Sequence, residues 1–246
     1  MKRILILGLM AILVMGIYNY AVYDPYQKTT MPFEERDSQA YLSRSVNGDP
    51  GEVVYGKSTN LENGAANTVA AIVVDYRSFD TLGEVTVLFI SSLGVAFLSG
   101  GFGKTIRLKH KPSFLLQYGA RFVFGIILVF GAYMFLHGHL TPGGGFPGGA
   151  IIAASALVLY LGGESSGEKM KAFKILEGAA GSLYVLSGIV GLYFAGFFMQ
   201  NVLPSGIVGH LFSAGIMPVI YILIGLKVGS ELTGILDYFM REEVSS

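Results

Sequence analysis

This sequence predicts an all-α, polytopic integral membrane protein with about six transmembrane helices and a short re-entrant or surface helix. Three observations predict it. Of 246 residues, 52% are hydrophobic and only 14% are charged, too little charge to cover the surface of a soluble domain. Mean hydropathy is +0.56, and apolar runs recur near the roughly 20 residues that a helix needs to cross hydrocarbon. Lys and Arg cluster in alternate connections between those runs, the pattern expected when cytoplasmic loops retain them.

The elements follow in order. Residues 4–22, behind Lys2 and Arg3, form an apolar run long enough to span. Their flank of Tyr20, Tyr23, Asp24 and Pro25 lacks a small-residue cleavage pattern, which favours an uncleaved anchor over a secretory signal. The loop 23–60 is mildly acidic, with three prolines and no helical period, and reads as an irregular outer segment packed on neighbouring protein. Residues 63–74 are apolar but too short to span, and read as the re-entrant or surface helix. Spans are expected at 81–100, 114–136, 149–161, 175–198 and 207–229. The basic connection 101–112 separates two modules and gives three regions: 1–66, an anchor with its outer loop; 67–112, an acidic segment with its span; and 113–246, a four-helix membrane domain. Alternation then puts Lys2, Arg3, Lys104, Arg107, Lys109, Lys111, Lys169, Lys171, Lys174 and Arg241 on one side. The expectation is a multi-pass protein of the cell membrane with both termini cytoplasmic.

Net charge is zero, which gives no basic footprint for nucleic acid as a partner. Cysteine is absent, so this chain supplies no thiolate for an iron–sulfur, nickel or zinc centre, and no cofactor is expected within it. No nucleophile and base set or metal-ligand spacing suggests an enzyme.

Four features could carry chemistry. Glu84 lies inside an apolar span, where a carboxylate is costly unless it is paired, protonated or facing water. Asp80 falls four residues earlier on the same face, so the two acids repel unless a cation, a proton or Arg77 intervenes. That suits cation or proton handling, and an interface salt bridge with another subunit is the alternative. The run Pro142, Gly143, Gly144, Gly145, Phe146, Pro147, Gly148 and Gly149 reads as a helix-breaking loop. It lacks the Lys-Ser/Thr and the preceding strand of a phosphate loop, which leaves a tight interhelical connection or a discontinuous helix lining an ion path.

His137 and His139 flank that loop two residues apart, a poor metal pair but a possible proton relay. His210, expected at the start of the last span, has a similar reading. Arg121 is close enough to a membrane interface to snorkel. Lys227 and Glu231, four apart, can pair with each other or reach headgroups, which points to structural roles. Ser187, Gly191 and Ala195, with Gly225 and Gly229, provide small-residue packing faces.

From residue 114 onward the chain resembles the B subunit of the Mrp-type multisubunit sodium/proton antiporters, the MnhB-like family. The matching residues are His137-Gly138-His139-Leu140-Thr141-Pro142-Gly143-Gly144-Gly145-Phe146-Pro147-Gly148-Gly149, then Ile224-Gly225-Leu226-Lys227-Val228-Gly229 and Glu231-Leu232-Thr233-Gly234. Pro147 stands where the family commonly has Gln. The segment 67–84, with Asp75-Tyr76-Arg77-Ser78-Phe79-Asp80-Thr81-Leu82-Gly83-Glu84, resembles the last part of the large Mrp A subunit. It is also similar to a small MbhE-like subunit of membrane-bound hydrogenases and sulfane sulfur reductases.

The resemblance implies a non-catalytic subunit of the Na+/H+ antiporter module of a hydrogenase-type or related ion-pumping redox complex. A stand-alone Mrp antiporter and a purely structural scaffold are the alternatives. It further implies partners among other membrane subunits and the lipid bilayer, with Na+ and H+ as transported ions and any nickel–iron or iron–sulfur centre in partner subunits. Asp75, Asp80 and Glu84 match the acidic motif, with Glu84 the foremost candidate for ion conduction.

Overall fold

In a computed structural model of the chain, the described residues are 8, 10–16, 18–19, 32, 37–45, 53–59, 61–98, 112–163 and 169–240. Their regular structure is helical, with no strand among them. The chain divides into two units, residues 1–42 and 43–246. In the first unit, residues 10–16 and 18–19 are helical with exposed side chains, and the short helix α1 covers Ser38–Leu42. Nearly half of the expected anchor 4–22, the greater part of loop 23–60 and the connection 101–111 lie outside the described residues.

The second unit begins its regular structure with α2, Thr68–Ala71, which runs directly into a π-helical turn, Ile72–Tyr76. The long helices follow: α3 Ser78–Leu98, α4 Phe114–Leu136, α5 Gly145–Leu161, α6 Lys169–Ala195 and α7 Met217–Met240. By length and composition, four of the described segments can cross a membrane: Ser78–Leu98, Phe114–Leu136, Lys171–Ala195 and Met217–Phe239. Helix α5 is apolar but shorter, at 17 residues.

Caps set the boundaries. The Asn67 side chain accepts hydrogen bonds from Val69 N and Ala70 N at the start of α2, and Ser113 Oγ accepts from Leu116 N at the start of α4. Helix α6 stops at Ala195 because Gly196 takes φ +85°, the left-handed stop that glycine adopts without penalty.

Helix α7 is central, touching α3, α4, α5 and α6. Its Met217, Ile220, Ile224 and Val228 form the core with Val74, Val85, Phe135 and Tyr184. By contrast α3 and α4 turn large apolar side chains outward, among them Phe97, Leu98, Leu115 and Phe122. An apolar exterior of this kind is what lipid or neighbouring membrane subunits cover.

Three expected boundaries are corrected. The last span starts not at 207 but at Met217, because residues 207–216 are held in turns. Gly206, Gly209, Ala214 and Gly215 all have positive φ, and Asn201 Oδ1 accepts from both Leu203 N and Ile216 N at 3.1 Å. His210 therefore sits in a turn rather than at a helix start. The helix at the fourth expected span starts at Gly145 rather than 149, so five of the eight residues of the expected loop are helical. The fifth starts earlier and ends at Ala195, after which the chain folds back so that Met199 N reaches Gly188 O at 3.2 Å.

Candidate functional site: an acidic segment at the loop end of the bundle

Three stretches, 61–76, 137–144 and 197–216, are tied together at one end of the bundle. Asn67 Nδ2 donates to Gly138 O (3.1 Å) and Thr141 O (3.0 Å), and Asn67 N donates to His139 O (3.0 Å). Ser205 Oγ donates to Leu61 O at 2.8 Å. His139, fully enclosed, places Nε2 3.0 Å from Leu211 O. Burial, as the main cause, holds the His139 imidazole below its usual pKa. His137 instead caps α4, half-buried and stacked on Tyr133 with ring centroids 4.2 Å apart. The two rings meet different backbone carbonyls, Tyr133 O and Leu211 O, and among the described residues neither hydrogen-bonds to an acidic side chain.

The acids line two neighbouring cavities. Asp75, in the π turn, accepts a hydrogen bond from the buried Asn63 side chain. It borders a cavity of about 500 Å³ with Glu62, Tyr76, Phe198 and Asn201. Burial pushes its carboxyl from 3.8 up to about 6, the charge of Glu62 adds to this, and hydrogen bonds from Asn63 and Asn201 oppose it. Glu84 borders a second cavity of about 440 Å³ with Ile72, Val73, Arg77 and Phe79. Asp80 lines both, and Arg77 Nε donates to Asp80 Oδ2 at 2.6 Å. Arg77 thus occupies the compensating position that the spacing of Asp80 and Glu84 demands, while Glu84 is exposed on the outer face of α3. Among the described residues no group of three or more His, Cys, Asp or Glu is arranged to hold a metal.

The glycine and proline run is part turn, 142–144, and part helix, 145–149. Gly144 takes φ +137°, which only glycine adopts readily. Gly145, Phe146 and Pro147 are the first helical residues of α5, where Pro is tolerated because the first-turn N–H groups lack intrahelical partners. Gly145 and Gly149 then let α5 press against α7. A Cβ at Gly149 would lie 2.8 Å from Val228 Cβ, and one at Gly145 would lie 2.5 Å from Ile224 Cβ. Helix contact, rather than carbonyls lining a path, accounts for these glycines.

Sequence reasoning missed Asn63 and Asn201, which surround Asp75, and left Lys227 and Glu231 open between pairing with each other and reaching headgroups. These last two do not reach headgroups: Lys227 is 8% exposed, Glu231 is 0% exposed, and they pair at 3.4 Å inside the bundle. Their four-residue spacing in an apolar run was the visible signal. The central place of α7, which denies them a lipid side, was not.

A bundle of long apolar helices with acidic residues at one end has the form of a multi-pass membrane protein. Residues 115–234 match the profile of a domain related to the MnhB subunit of Na+/H+ antiporters, and residues 38–105 match that of the MbhE family, the E subunit of MBH. A chain of the archaeal membrane-bound sulfane sulfur reductase, a respiratory membrane complex, is similar in structure. It has 40% identity and a TM-score of 0.73, covering 97% of this chain and 100% of that one.

An uncharacterized protein of Methanocaldococcus jannaschii is 30% identical over 199 residues, 68% of this chain and 74% of the relative. The A/B subunit of a probable K+/H+ antiporter of Rhizobium meliloti is 26% identical over 199 residues, which are 70% of this chain and 18% of the relative. The chain belongs to the family of MnhB-related antiporter subunits, in a form that carries an MbhE segment ahead of the MnhB-related domain.

Proposed function

We propose that this chain is a membrane subunit of an Mrp-type antiporter module within a respiratory complex of the sulfane sulfur reductase or hydrogenase kind, and that it contributes to cation translocation. The observation that carries the translocation role is the Arg77, Asp80 and Glu84 face. Two carboxylates one turn apart sit on the outward side of an apolar helix, one compensated by Arg77 and the other, Glu84, open toward whatever packs there. An ionisable group in that position is expensive in lipid and serves an ion path or a polar interface.

The chain itself is non-catalytic in this reading, and nickel–iron or iron–sulfur centres belong to partner subunits. Six spans follow if residues 4–22 and α5 both cross, with regions 1–66, 67–112 and 113–246 as modules and both termini cytoplasmic. A stand-alone antiporter is the second reading, favoured by the similarity to the antiporter A/B subunit.

The test is Na+ and H+ flux in vesicles holding the purified complex with Glu84→Gln, normalised to intact assembly. Collapse of flux with normal assembly is the expected result. Unchanged flux per complex would make the face a structural contact.

A further inference from the structure

The bundle holds a second set of ionisable groups, between α3, α6 and α7 and apart from the acidic motif. Lys227 and Glu231 stand one turn apart on α7, with Lys227 Nζ 3.4 Å from Glu231 Oε1. The Lys227 side chain crosses α6 at Gly181, where an added Cβ would meet its Cδ at 3.3 Å and its Nζ at 3.7 Å. Its ammonium lies 4.8 Å from the ring centroid of Phe89 on α3. Glu231 is fully enclosed, and its Oε2 has no hydrogen-bond partner among the described residues.

Glu177, one turn before Gly181 on α6, borders the same cavity as Lys227. Lys227 therefore has a carboxylate on each of two helices, Glu231 beside it on α7 and Glu177 on α6.

A groove of about 550 Å³ between α3 and α6 reaches this set, lined by Thr86, Phe89, Glu177, Gly181, Tyr184 and Lys227. Beyond the carboxylates, Lys174 Nζ donates to Tyr238 OH at 3.1 Å and Tyr160 OH to Asp237 Oδ1 at 3.0 Å, which continues the polar track toward the far end of α7.

We propose that Glu177, Lys227 and Glu231 form a proton-transfer site inside this chain, with Glu177 exchanging a proton with groove water and Glu231 as its enclosed acceptor. One O–H bond breaks at the Glu177 carboxyl and one forms at Glu231. Lys227 stays protonated throughout, and no electron or leaving group moves. The ammonium of Lys227 serves both carboxylates in turn, so the proton can occupy either without stranding a negative charge in a low-dielectric interior. Stability alone does not explain the pair, since apolar residues of similar volume often replace a buried ion pair without loss. The proposal rests on the reading of this chain as part of an ion-translocating module, to which it adds a site away from Glu84.

The experiment compares Glu231→Gln, Glu177→Gln, the double variant Lys227→Met with Glu231→Leu, and Glu84→Gln. All are measured in the reconstituted complex by proton flux per intact assembly across a series of pH values. The proposal expects Glu231→Gln, Glu177→Gln and the double variant each to lower proton flux about a hundredfold, the scale of a positioned proton-transfer group. A double variant that assembles and carries normal flux overturns it, because the pair is then structural. Where substitution at Glu231 prevents assembly, Glu177→Gln, at the groove, decides: full flux overturns the proposal and loss with an altered pH profile supports it. Normal flux in Glu84→Gln beside loss in Glu231→Gln keeps this site and removes the Glu84 reading. The reverse pattern removes this site alone.

Discussion

Helices α3 and α7 are similar in length and apolar composition, and each has a cation and an acid within three or four residues, yet they bury them oppositely. In α3 only 11% of the apolar window is buried within the chain, and Arg77 and Asp80, at its start, form a surface pair with side chains 68% and 51% exposed. In α7 the figure is 56%, and Lys227 and Glu231 are enclosed. The lesson is that the cost and the role of a charge in a membrane helix follow from how many neighbours that helix has. An edge helix can offer its acids to a partner subunit or to water, whereas a central helix must satisfy them internally.

The sharpest way to break this comparison is to remove Glu231. Glu231→Ala leaves the Lys227 ammonium enclosed without its carboxylate, and losing one member of a buried pair costs about 3–5 kcal/mol. Thermal unfolding of the purified complex should register that loss, and the double variant Lys227→Met with Glu231→Leu should recover most of it. A loss below about 1 kcal/mol, the range of exposed pairs, would mean that water reaches the pair and that α7 is no more enclosed than α3.

Asp75, outside the spans, gives an intermediate effect that reads out as pH dependence. Its folded value, about 6, lies above its ordinary 3.8, so the folded state binds the proton more tightly than the unfolded state. The stability it contributes is therefore complete below about pH 4 and is lost as pH rises through about 6. At about 1.36 kcal/mol per unit the change is on the order of 3 kcal/mol. Asp75→Asn should abolish that slope and leave the complex more stable than the parent above about pH 6. His139 has the opposite sign: its depressed value contributes stability that is complete above 6.5 and fades as pH falls. An Asp75→Asn variant with an unchanged slope between about pH 4 and 6 would show that the carboxylate is already hydrated.

These cases also show what the sequence could reveal. The all-helical character and the long apolar helices of the second unit were legible because hydrocarbon thickness and composition fix them. Asp80, Glu84 and the compensating Arg77 were legible because helical spacing puts them on one face. The stretch 207–216 reads as helix by hydropathy, which counts side chains and not φ angles, whereas Gly206, Gly209, Ala214 and Gly215 hold it in turns. The glycines at 145, 148 and 149 look like a loop because their compensating gain, close contact with α7 and α4, belongs to the tertiary structure. The pairing of Lys227 with Glu231 was one of the two readings that their spacing allowed, and headgroups stayed open as the other because nothing in a single helix says that four others touch it.

The smallest effect on stability belongs to the α3 face. Arg77 and Asp80 are largely exposed, and an exposed pair contributes about 0–1 kcal/mol. Asp80→Asn should therefore shift the thermal unfolding of the complex by no more than about 1 kcal/mol, and salt should screen even that. This is the converse of the Glu231 result, although both carboxylates lie near a cation on apolar helices. A loss as large as that from Glu231→Ala would mean that a neighbouring subunit seals the α3 face dry. Asp80 and Glu84 would then belong to a desolvated interface, and an open aqueous path to Glu84 would be excluded.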